Sequence, residues 1–143
     1  MNLSKHFTLS EMTLSRTASR LGIDNTPNEE ALLNLKRLCA TLEQVRSLVG
    51  RPIMVSSGYR SPSLNRAVGG SSKSAHRLGL AADISVAGMA PMELACLIAQ
   101  STLAFDQLIL EFDSWVHLGL STSAERRQIL TIRKGTGYLP GLQ

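Results

Sequence analysis

The fold is decided by one segment, Phe105-Asp106-Gln107-Leu108-Ile109-Leu110-Glu111-Phe112-Asp113-Ser114-Trp115-Val116-His117-Leu118-Gly119-Leu120. Two mainly apolar runs, residues 105–112 and 115–120, lie on either side of the polar pair Asp113-Ser114. Apolar runs of this length, separated by turn residues, are typical of two neighbouring strands. We therefore predict two strands joined by a turn at Asp113-Ser114.

Further strands are predicted on both sides of this segment. Residues 53–57, 80–86 and 128–133 are short apolar runs bounded by Gly, Pro or polar residues. Residues 134–143 contain Gly and Pro without such a run, so this tail is expected to be irregular.

The N-terminal half is predicted to contain most of the helices. Thr26-Pro27-Asn28-Glu29 offers an N-cap threonine, a proline at the first helical position and a capping-box glutamate. Apolar residues then recur every three or four positions as far as Gly50, which predicts a long amphipathic helix. Shorter helices are predicted from a Ser10 cap to Gly22, over residues 61–70 and over residues 91–100.

Helices early in the chain and strands later favour an α+β fold with a mostly antiparallel sheet and helices packed on one face. The 143 residues suit a single domain, residues 1–143. The net charge of +4 is dispersed, so we expect no nucleic-acid partner. We also expect no membrane insertion, a monomer, and buried thiols at Cys39 and Cys96. The N-terminus has no apolar signal region, so synthesis in the cytoplasm without a signal peptide is expected.

Three residues of zinc-ligand type lie in or beside predicted strands: His76, Asp83 and His117. Asp83 has small and apolar neighbours, where a carboxylate is costly to bury unless it is paired or binds a metal. The Gly- and Ser-rich loop at residues 69–75 can return His76 toward Asp83. Two imidazoles and one carboxylate can hold Zn²⁺ and leave its fourth position open, as in catalytic sites. Singly, such residues are more commonly structural, so a metal-free α+β domain is the alternative.

Several motifs surround these three residues. They are Ser57-Gly58-Tyr59-Arg60-Ser61, Leu64-Asn65, Val68-Gly69-Gly70-Ser71, Ser74-x-His76, Gly79-x-Ala81-Ala82-Asp83 and Trp115-Val116-His117. Over residues 5–120 the pattern closely resembles the D-Ala-D-Ala carboxypeptidase family of zinc metallopeptidases, whose small single-domain branch includes phage-type peptidoglycan endopeptidases. The resemblance implies a fold related to the Hedgehog signalling domain, and zinc bound by His76, Asp83 and His117.

The same resemblance implies roles for residues around the metal. The arginine matched by Arg60 stabilises the developing oxyanion or orients the substrate, and the serine matched by Ser74 holds polar groups of the substrate. Tyr59 and Trp115 are further candidates for substrate contact. Histidine ligands usually need a partner that orients the ring, and Asp106 and Gln107 are candidates for that role.

The residue that handles the proton is less directly indicated. Many members that resemble this chain carry the catalytic acid three residues before the last histidine, and this position is Ser114, which cannot act as a base. Glu111 and Asp113 are the nearby carboxylates, and both share a face with His117 in one continuous strand. A turn at Asp113-Ser114 displaces Asp113 toward solvent. We therefore predict Glu111 as the general base, with Asp113 as the weaker candidate.

Together these residues predict a zinc peptidase that uses a zinc-activated water to cut a peptide bond in peptidoglycan stem peptides. Both a D-Ala-D-Ala carboxypeptidase and an endolysin-type endopeptidase fit. The alternative is a non-catalytic, zinc-stabilised module that binds the cell wall or a protein. A chain made without a signal peptide would reach the wall by phage-type lysis or as part of a virion.

Overall fold

The computed structural model describes all 143 residues. It contains five α-helices and one short 3₁₀ helix. The α-helices are α1 Leu9–Thr13, α2 Arg16–Leu21, α3 Glu29–Val49, α4 Pro62–Ala67 and α5 Pro91–Gln100, and the 3₁₀ helix is Ala75–Leu78. The strands are β1 Met54–Ser57, β2 Ala81–Ser85, β3 Gln107–Glu111, β4 Trp115–Gly119, β5 Gln128–Arg133 and β6 Gly137–Pro140.

The six strands form one sheet in the order β1-β2-β4-β3-β5-β6. Every neighbouring pair is antiparallel except β3 and β5, which run parallel. The predicted α+β class with a mostly antiparallel sheet is therefore confirmed. Strands β3 and β4 form the predicted pair, with Ile109 opposite His117 and Glu111 opposite Trp115.

The two faces of the sheet carry different side chains, because side chains alternate between the faces along each strand. One face carries Ile84, Leu108 and Leu118, which join α3 and α5 in the hydrophobic core. The opposite face of the same strands carries polar residues, among them Asp83 and His117, which are paired in register across β2 and β4. Helix packing therefore secures one face and leaves the other for a site.

The 3₁₀ helix is held tightly against α3. Asn34 donates from Nδ2 to the carbonyl oxygen of Leu78 at 2.8 Å. Gly79 ends the 3₁₀ helix with φ +75°, and a Cβ atom at this position would lie 2.6 Å from the carbonyl oxygen of Ala31. Only glycine combines this left-handed conformation with so close an approach to another backbone.

Some local predictions were wrong. Helix α3 begins after Asn28, whose side chain accepts from the Ala31 amide, so Thr26 and Glu29 form no capping box. The predicted helix from Ser10 to Gly22 is two helices, capped by Thr8 and Ser15. In each case a nearby polar residue reaches the free amides in better geometry, and several polar residues in a row make the choice ambiguous in sequence.

The C-terminal tail also differs from the prediction. Residues 137–140 form strand β6, which pairs with β5 and extends the sheet by one edge strand. Four residues with one proline carry too little pattern to predict a strand, and the pairing comes from the adjacent β5. Of the two cysteines, both unpaired, Cys39 is buried as predicted, whereas Cys96 is only half-buried. Burial raises the pKa of the Cys39 thiol to about 12.

Candidate metal centre and active site

His76, Asp83 and His117 converge on one point. Their nearest ligand atoms all lie within 4.8 Å of one another. Asp83 Oδ1 is 3.2 Å from both His76 Nε2 and His117 Nδ1. The three residues are buried, with exposed fractions of 8% or less. The structure thus brings together the three residues that the sequence predicts as ligands.

Each ligand comes from a rigid element. Asp83 and His117 are cross-strand partners on β2 and β4, and His76 lies in the 3₁₀ helix clamped against α3. The rings of His76 and His117 meet edge to face, with centroids 5.1 Å apart. A ligand set on regular elements keeps its geometry without the metal, which reduces the ordering needed on binding.

The backbone orients the imidazole of His76. Its Nδ1 lies 2.7 Å from the carbonyl oxygen of Gly58, which can only accept, so Nδ1 donates to Gly58 and Nε2 faces Asp83. A carbonyl partner of this kind fixes the ring orientation of metal-binding histidines. Gly58 is required there, because a Cβ atom would lie 2.4 Å from the carbonyl oxygen of Met12.

The electrostatics of the cluster favour a cation. Burial by itself raises the pKa of Asp83, but hydrogen bonds to His117 and His76 outweigh burial and hold the pKa well below its ordinary value. A buried carboxylate that stays ionised between two imidazoles needs a positive charge beside it, either a proton on an imidazole or a metal ion. Two imidazole nitrogens and one carboxylate oxygen are a donor set that suits zinc, so the residues present fit the metal.

Arg60 and Ser74 lie beside the cluster. Arg60 Nη2 donates to Ser74 Oγ at 3.3 Å, and Ser74 Oγ also accepts from the His76 amide at 3.2 Å. Burial lowers the pKa of the Arg60 guanidinium, and the charges of Asp83 and Glu111 counteract this effect. The Nε atom of Arg60 is buried and has no acceptor. The guanidinium thus stays charged at neutral pH and is only lightly engaged by the protein.

Glu111 lies at the end of β3, on the same face as His117. Burial raises its pKa; the charge of His117 lowers it, that of Asp83 raises it, and the hydrogen bond from Trp115 lowers it. Trp115 Nε1 donates to Glu111 Oε1 at 2.8 Å. A half-buried carboxylate with a raised pKa beside a metal site has the properties of a proton-transfer group.

Asp113 lies outside the site. It stands in the turn between β3 and β4, exposed to solvent, and accepts hydrogen bonds of 2.8 and 2.9 Å from Arg133. These bonds lower the pKa of Asp113. Ser114, also in the turn, donates to the carbonyl oxygen of Phe112. The position of the turn thus removes the weaker of the two candidate bases and leaves Glu111.

Three other predicted residues have different surroundings from those expected. Tyr59 is 6% exposed, belongs to the hydrophobic core and does not line the metal cleft, which argues against the predicted substrate contact. Asp106 pairs with Arg126 and Gln107 bonds Gln128, so neither orients a ligand histidine. The Gly58 carbonyl takes that role, and a backbone atom gives no signal in the sequence beyond the glycine itself.

The three candidate ligands line an open cleft of about 870 Å³ across the polar face of the sheet. One wall is the loop at residues 69–76 with Arg60, and the floor is formed by β2, β4 and β3. The far side is built by residues for which the sequence pattern gave no role: Arg126, Gln128, Leu130, Tyr138 and Pro140. They enter the cleft because β5 and β6 extend the sheet past Glu111.

A second cavity of about 540 Å³ lies beside β1. Leu14 to Thr17, β1 and Tyr59 contribute to its lining. Of the residues assigned to the site, Arg60 reaches both cavities, and none of the three candidate ligands lines the second. Of these two cavities, only the cleft on the polar face is lined by the candidate ligands.

Comparison with known proteins supports this assignment. The sequence model of the family described as Peptidase M15 matches residues 5–119. No curated protein matches the chain. The matched range includes Arg60, Glu111 and all three candidate ligands. It ends at residue 119, the last residue of β4, and does not include β5 or β6. With four-fifths of its residues matched, the chain belongs to the M15 family of zinc metallopeptidases related to D-Ala-D-Ala carboxypeptidases.

Proposed function

We propose that this chain is a zinc peptidase that hydrolyses a peptide bond in the stem peptides of bacterial peptidoglycan. The observation that carries the proposal is the convergence of His76, Asp83 and His117 beside Glu111 and Arg60 in one cleft. Membership of the M15 family supports metallopeptidase chemistry. The substrate class follows from the resemblance of the motifs to D-Ala-D-Ala carboxypeptidases and phage-type endopeptidases.

The chain's own groups have complementary tasks in such a reaction. A zinc ion held by His76, Asp83 and His117 would supply a Lewis acid and lower the pKa of a water molecule to about 7. Glu111 accepts the proton of the attacking water and returns it to the leaving amine. Arg60 places a fixed positive charge close to the carbonyl oxygen on which negative charge develops.

The shape of the cleft suits an extended peptide. Three strands, β3, β5 and β6, lie to one side of His117, and neighbouring strands are about 4.8 Å apart. The floor on that side is therefore about 14 Å wide, which accommodates roughly four residues of extended chain. A carboxypeptidase and an endopeptidase both need space for several substrate residues on at least one side of the scissile bond, so this floor is compatible with either predicted activity. Ser74 and Trp115 also face this cleft.

The proposed setting is the bacterial cell wall. None of the helices combines the length and the apolar character that a membrane-spanning helix requires. We propose that the protein acts as a monomer on peptidoglycan, without a nucleic-acid partner. Access to the wall would come through phage-type lysis or delivery with a virion.

The test is mass spectrometry of purified peptidoglycan fragments after incubation with zinc-loaded protein in H₂¹⁸O. We expect products whose new carboxyl group carries ¹⁸O, and the mass of each product identifies the bond. Glu111→Gln should lower the rate by about 10²-fold or more, because a general base contributes that much. EDTA-treated protein should give no products.

The same experiment distinguishes the alternative function. Unchanged fragments from a protein that retains one zinc per chain would reject the peptidase and favour the non-catalytic binding module. Unchanged fragments with no zinc retained would reject the metal site as well.

A further inference from the structure

Trp115 lies directly opposite Glu111 in the β3–β4 ladder and donates from Nε1 to Glu111 Oε1 at 2.8 Å. We propose that Trp115 is a positioning residue whose indole N–H holds Oε1 and thereby reserves Oε2 of Glu111 for the proton transferred in hydrolysis. The inference rests on the proposed function, since it requires Glu111 to be the proton acceptor.

The chemistry of the indole group supports this assignment. An indole Nε1–H can only donate, so Oε1 must be the accepting atom whether Glu111 is ionised or neutral. Oε2 makes no hydrogen bond within the chain, so the proton added to Glu111 resides there. As the water oxygen bonds to the carbonyl carbon, Oε2 takes its proton. As the C–N bond breaks, Oε2 gives a proton to the amine nitrogen, and Glu111 returns to a carboxylate.

The donor is fixed by the fold rather than by Glu111. The backbone of Trp115 is in the β3–β4 ladder, and its ring packs against Phe112, with centroids 5.7 Å apart. Phe112 and Asp113 have φ values of 55° and 52°, so the turn beside Trp115 is tight and left-handed. The ion pair between Asp113 and Arg133 ties this turn to β5. A donor on a braced hairpin can orient a carboxylate, because its own position is determined elsewhere.

Two simpler roles for Trp115 fit the structure less well. A core plug would be buried in the hydrophobic cluster, and Trp115 is only half-buried and lies outside that cluster. A substrate wall would not need its N–H group directed at Glu111. The roles also differ kinetically: a wall contact acts through KM, whereas positioning of the general base acts through kcat.

The test exploits the fact that Trp115 is the only tryptophan in the chain. Biosynthetic incorporation of β-(3-benzothienyl)alanine replaces its N–H by sulfur at this one site and keeps the ring shape. Protein that carries 4-fluorotryptophan, which retains the N–H, is the matched comparison. On peptidoglycan fragments we expect kcat to be lower by about tenfold in the sulfur analogue, equivalent to loss of one hydrogen bond to a charged group. KM and the zinc content should be equal in the two proteins.

A second readout is independent of activity. The single indole N–H gives one signal in a ¹H–¹⁵N NMR spectrum, and its hydrogen bond to a carboxylate shifts the proton downfield. In metal-free protein at neutral pH, Glu111→Gln should move this signal upfield, whereas Glu30→Gln, which removes an exposed carboxylate on α3, should leave it in place.

Each other outcome overturns the proposal. Equal kcat in the two labelled proteins, or a change confined to KM, would reject a positioning role while leaving the peptidase intact. If Glu111→Gln left the chemical shift of the indole N–H unchanged, the hydrogen bond between Trp115 and Glu111 would be rejected. An inactive unlabelled protein would reject the proposed function, and with it the task assigned to Trp115.

Discussion

Two carboxylates only two residues apart, Glu111 and Asp113, have opposite environments. Glu111 ends β3 on the cleft face, where burial raises its pKa, whereas Asp113 is exposed in the turn, where Arg133 lowers its pKa. The difference follows from where the strand ends, not from the residue type. General acid–base catalysis near neutral pH requires a carboxyl group whose pKa is raised, as it is in Glu111.

Glu111→Gln should therefore stabilise the metal-free protein at neutral pH. With its pKa raised on folding, wild-type Glu111 stabilises the folded state fully below the unfolded pKa, about 4.3, and this contribution is lost as pH rises through the folded pKa. Glutamine cannot ionise, so the variant does not lose this stability as the pH rises. Thermal unfolding of EDTA-treated proteins should give the variant the higher Tm at pH 7 and similar values near pH 4.

Asp113→Asn is the matched control for this measurement. Its pKa is lowered on folding, so its contribution is present above the unfolded pKa and lost as pH falls. The substitution should thus lower Tm slightly at pH 7. If both variants changed Tm in the same direction, the assigned environments would be incorrect.

At this scale the sequence predicts most of the site, because His76, Asp83 and His117 belong to motifs in which chemistry dictates the residue type. The turn that places Asp113 outside the cleft could also be located from its polar residues, and the role of Glu111 as the general base stays a prediction. Tyr59 shows the limit of such reasoning. A residue inside a functional motif can be there for packing, and its burial is decided by α1 and the core, which lie far from it in sequence.

The candidate metal site depends most on the 3₁₀ helix. It presents His76 to Asp83 and is held in place by close contact between Gly79 and α3. Ser74 Oγ accepts hydrogen bonds from the His76 amide and from Arg60, which links both neighbours to the start of this helix. A displacement of this helix would separate His76 from Asp83 and His117, so its packing against α3 determines whether the three candidate ligands meet.

Gly79→Ala should destabilise the protein and weaken zinc binding. The left-handed conformation costs a non-glycine residue about 1–2 kcal/mol, and overlap with the Ala31 carbonyl adds roughly 1–3 kcal/mol. Urea unfolding and zinc titration would measure the two effects. Gly135→Ala is the control, because Gly135 has φ +78° but nothing within 4 Å of a built Cβ atom.

The control should show the conformational cost alone and normal zinc affinity. Equal free energies of unfolding and equal zinc affinities in the two variants would show that the contact with α3 does not hold the site together.

Elements with long or repeated patterns were predictable, and short ones supported by neighbours were not. Helix α3 and the pair β3–β4 follow from periodicity over many residues. Strand β6 and the 3₁₀ helix have four residues each, and they exist because β5 and α3 offer partners that a local pattern cannot reveal.

The whole molecule is organised as a sheet with a structural face and a chemical face. Helices α3 and α5 cover the first, and the second carries the cleft with His76, Asp83 and His117. The N-terminal segment is fastened to the outside of this core: Glu43 on α3 accepts hydrogen bonds of 2.6 Å from Ser4 Oγ and the His6 amide. His6 also contacts Glu43 through its ring.

The contacts of Ser4 and His6 with Glu43 form a clamp between the N-terminal segment and α3. This clamp should make the stability of the protein depend on pH under acidic conditions. Burial opposes ionisation of Glu43, but the bonds from Ser4 and His6 lower its pKa to about 2. The stabilisation is therefore present above the unfolded pKa, about 4.3, and lost as pH falls toward 2. Glu43→Gln should cost about 1 kcal/mol at pH 7, measured by urea unfolding.

Glu30→Gln is the control, because Glu30 is an exposed carboxylate on the same helix. Its effect should be small at every pH. A Glu43→Gln protein as stable as wild type at pH 7 would show that the clamp contributes nothing to folding.

His76, Asp83 and His117 are the proposed ligands of the catalytic zinc. The most direct measurement is anomalous diffraction at the zinc absorption edge, from crystals of the protein grown with zinc. We expect one strong peak about 2.0–2.2 Å from His76 Nε2, His117 Nδ1 and an Asp83 oxygen, with Glu111 and Arg60 facing its open side. A peak elsewhere, or no peak between these three side chains, would show that these residues do not form the zinc site.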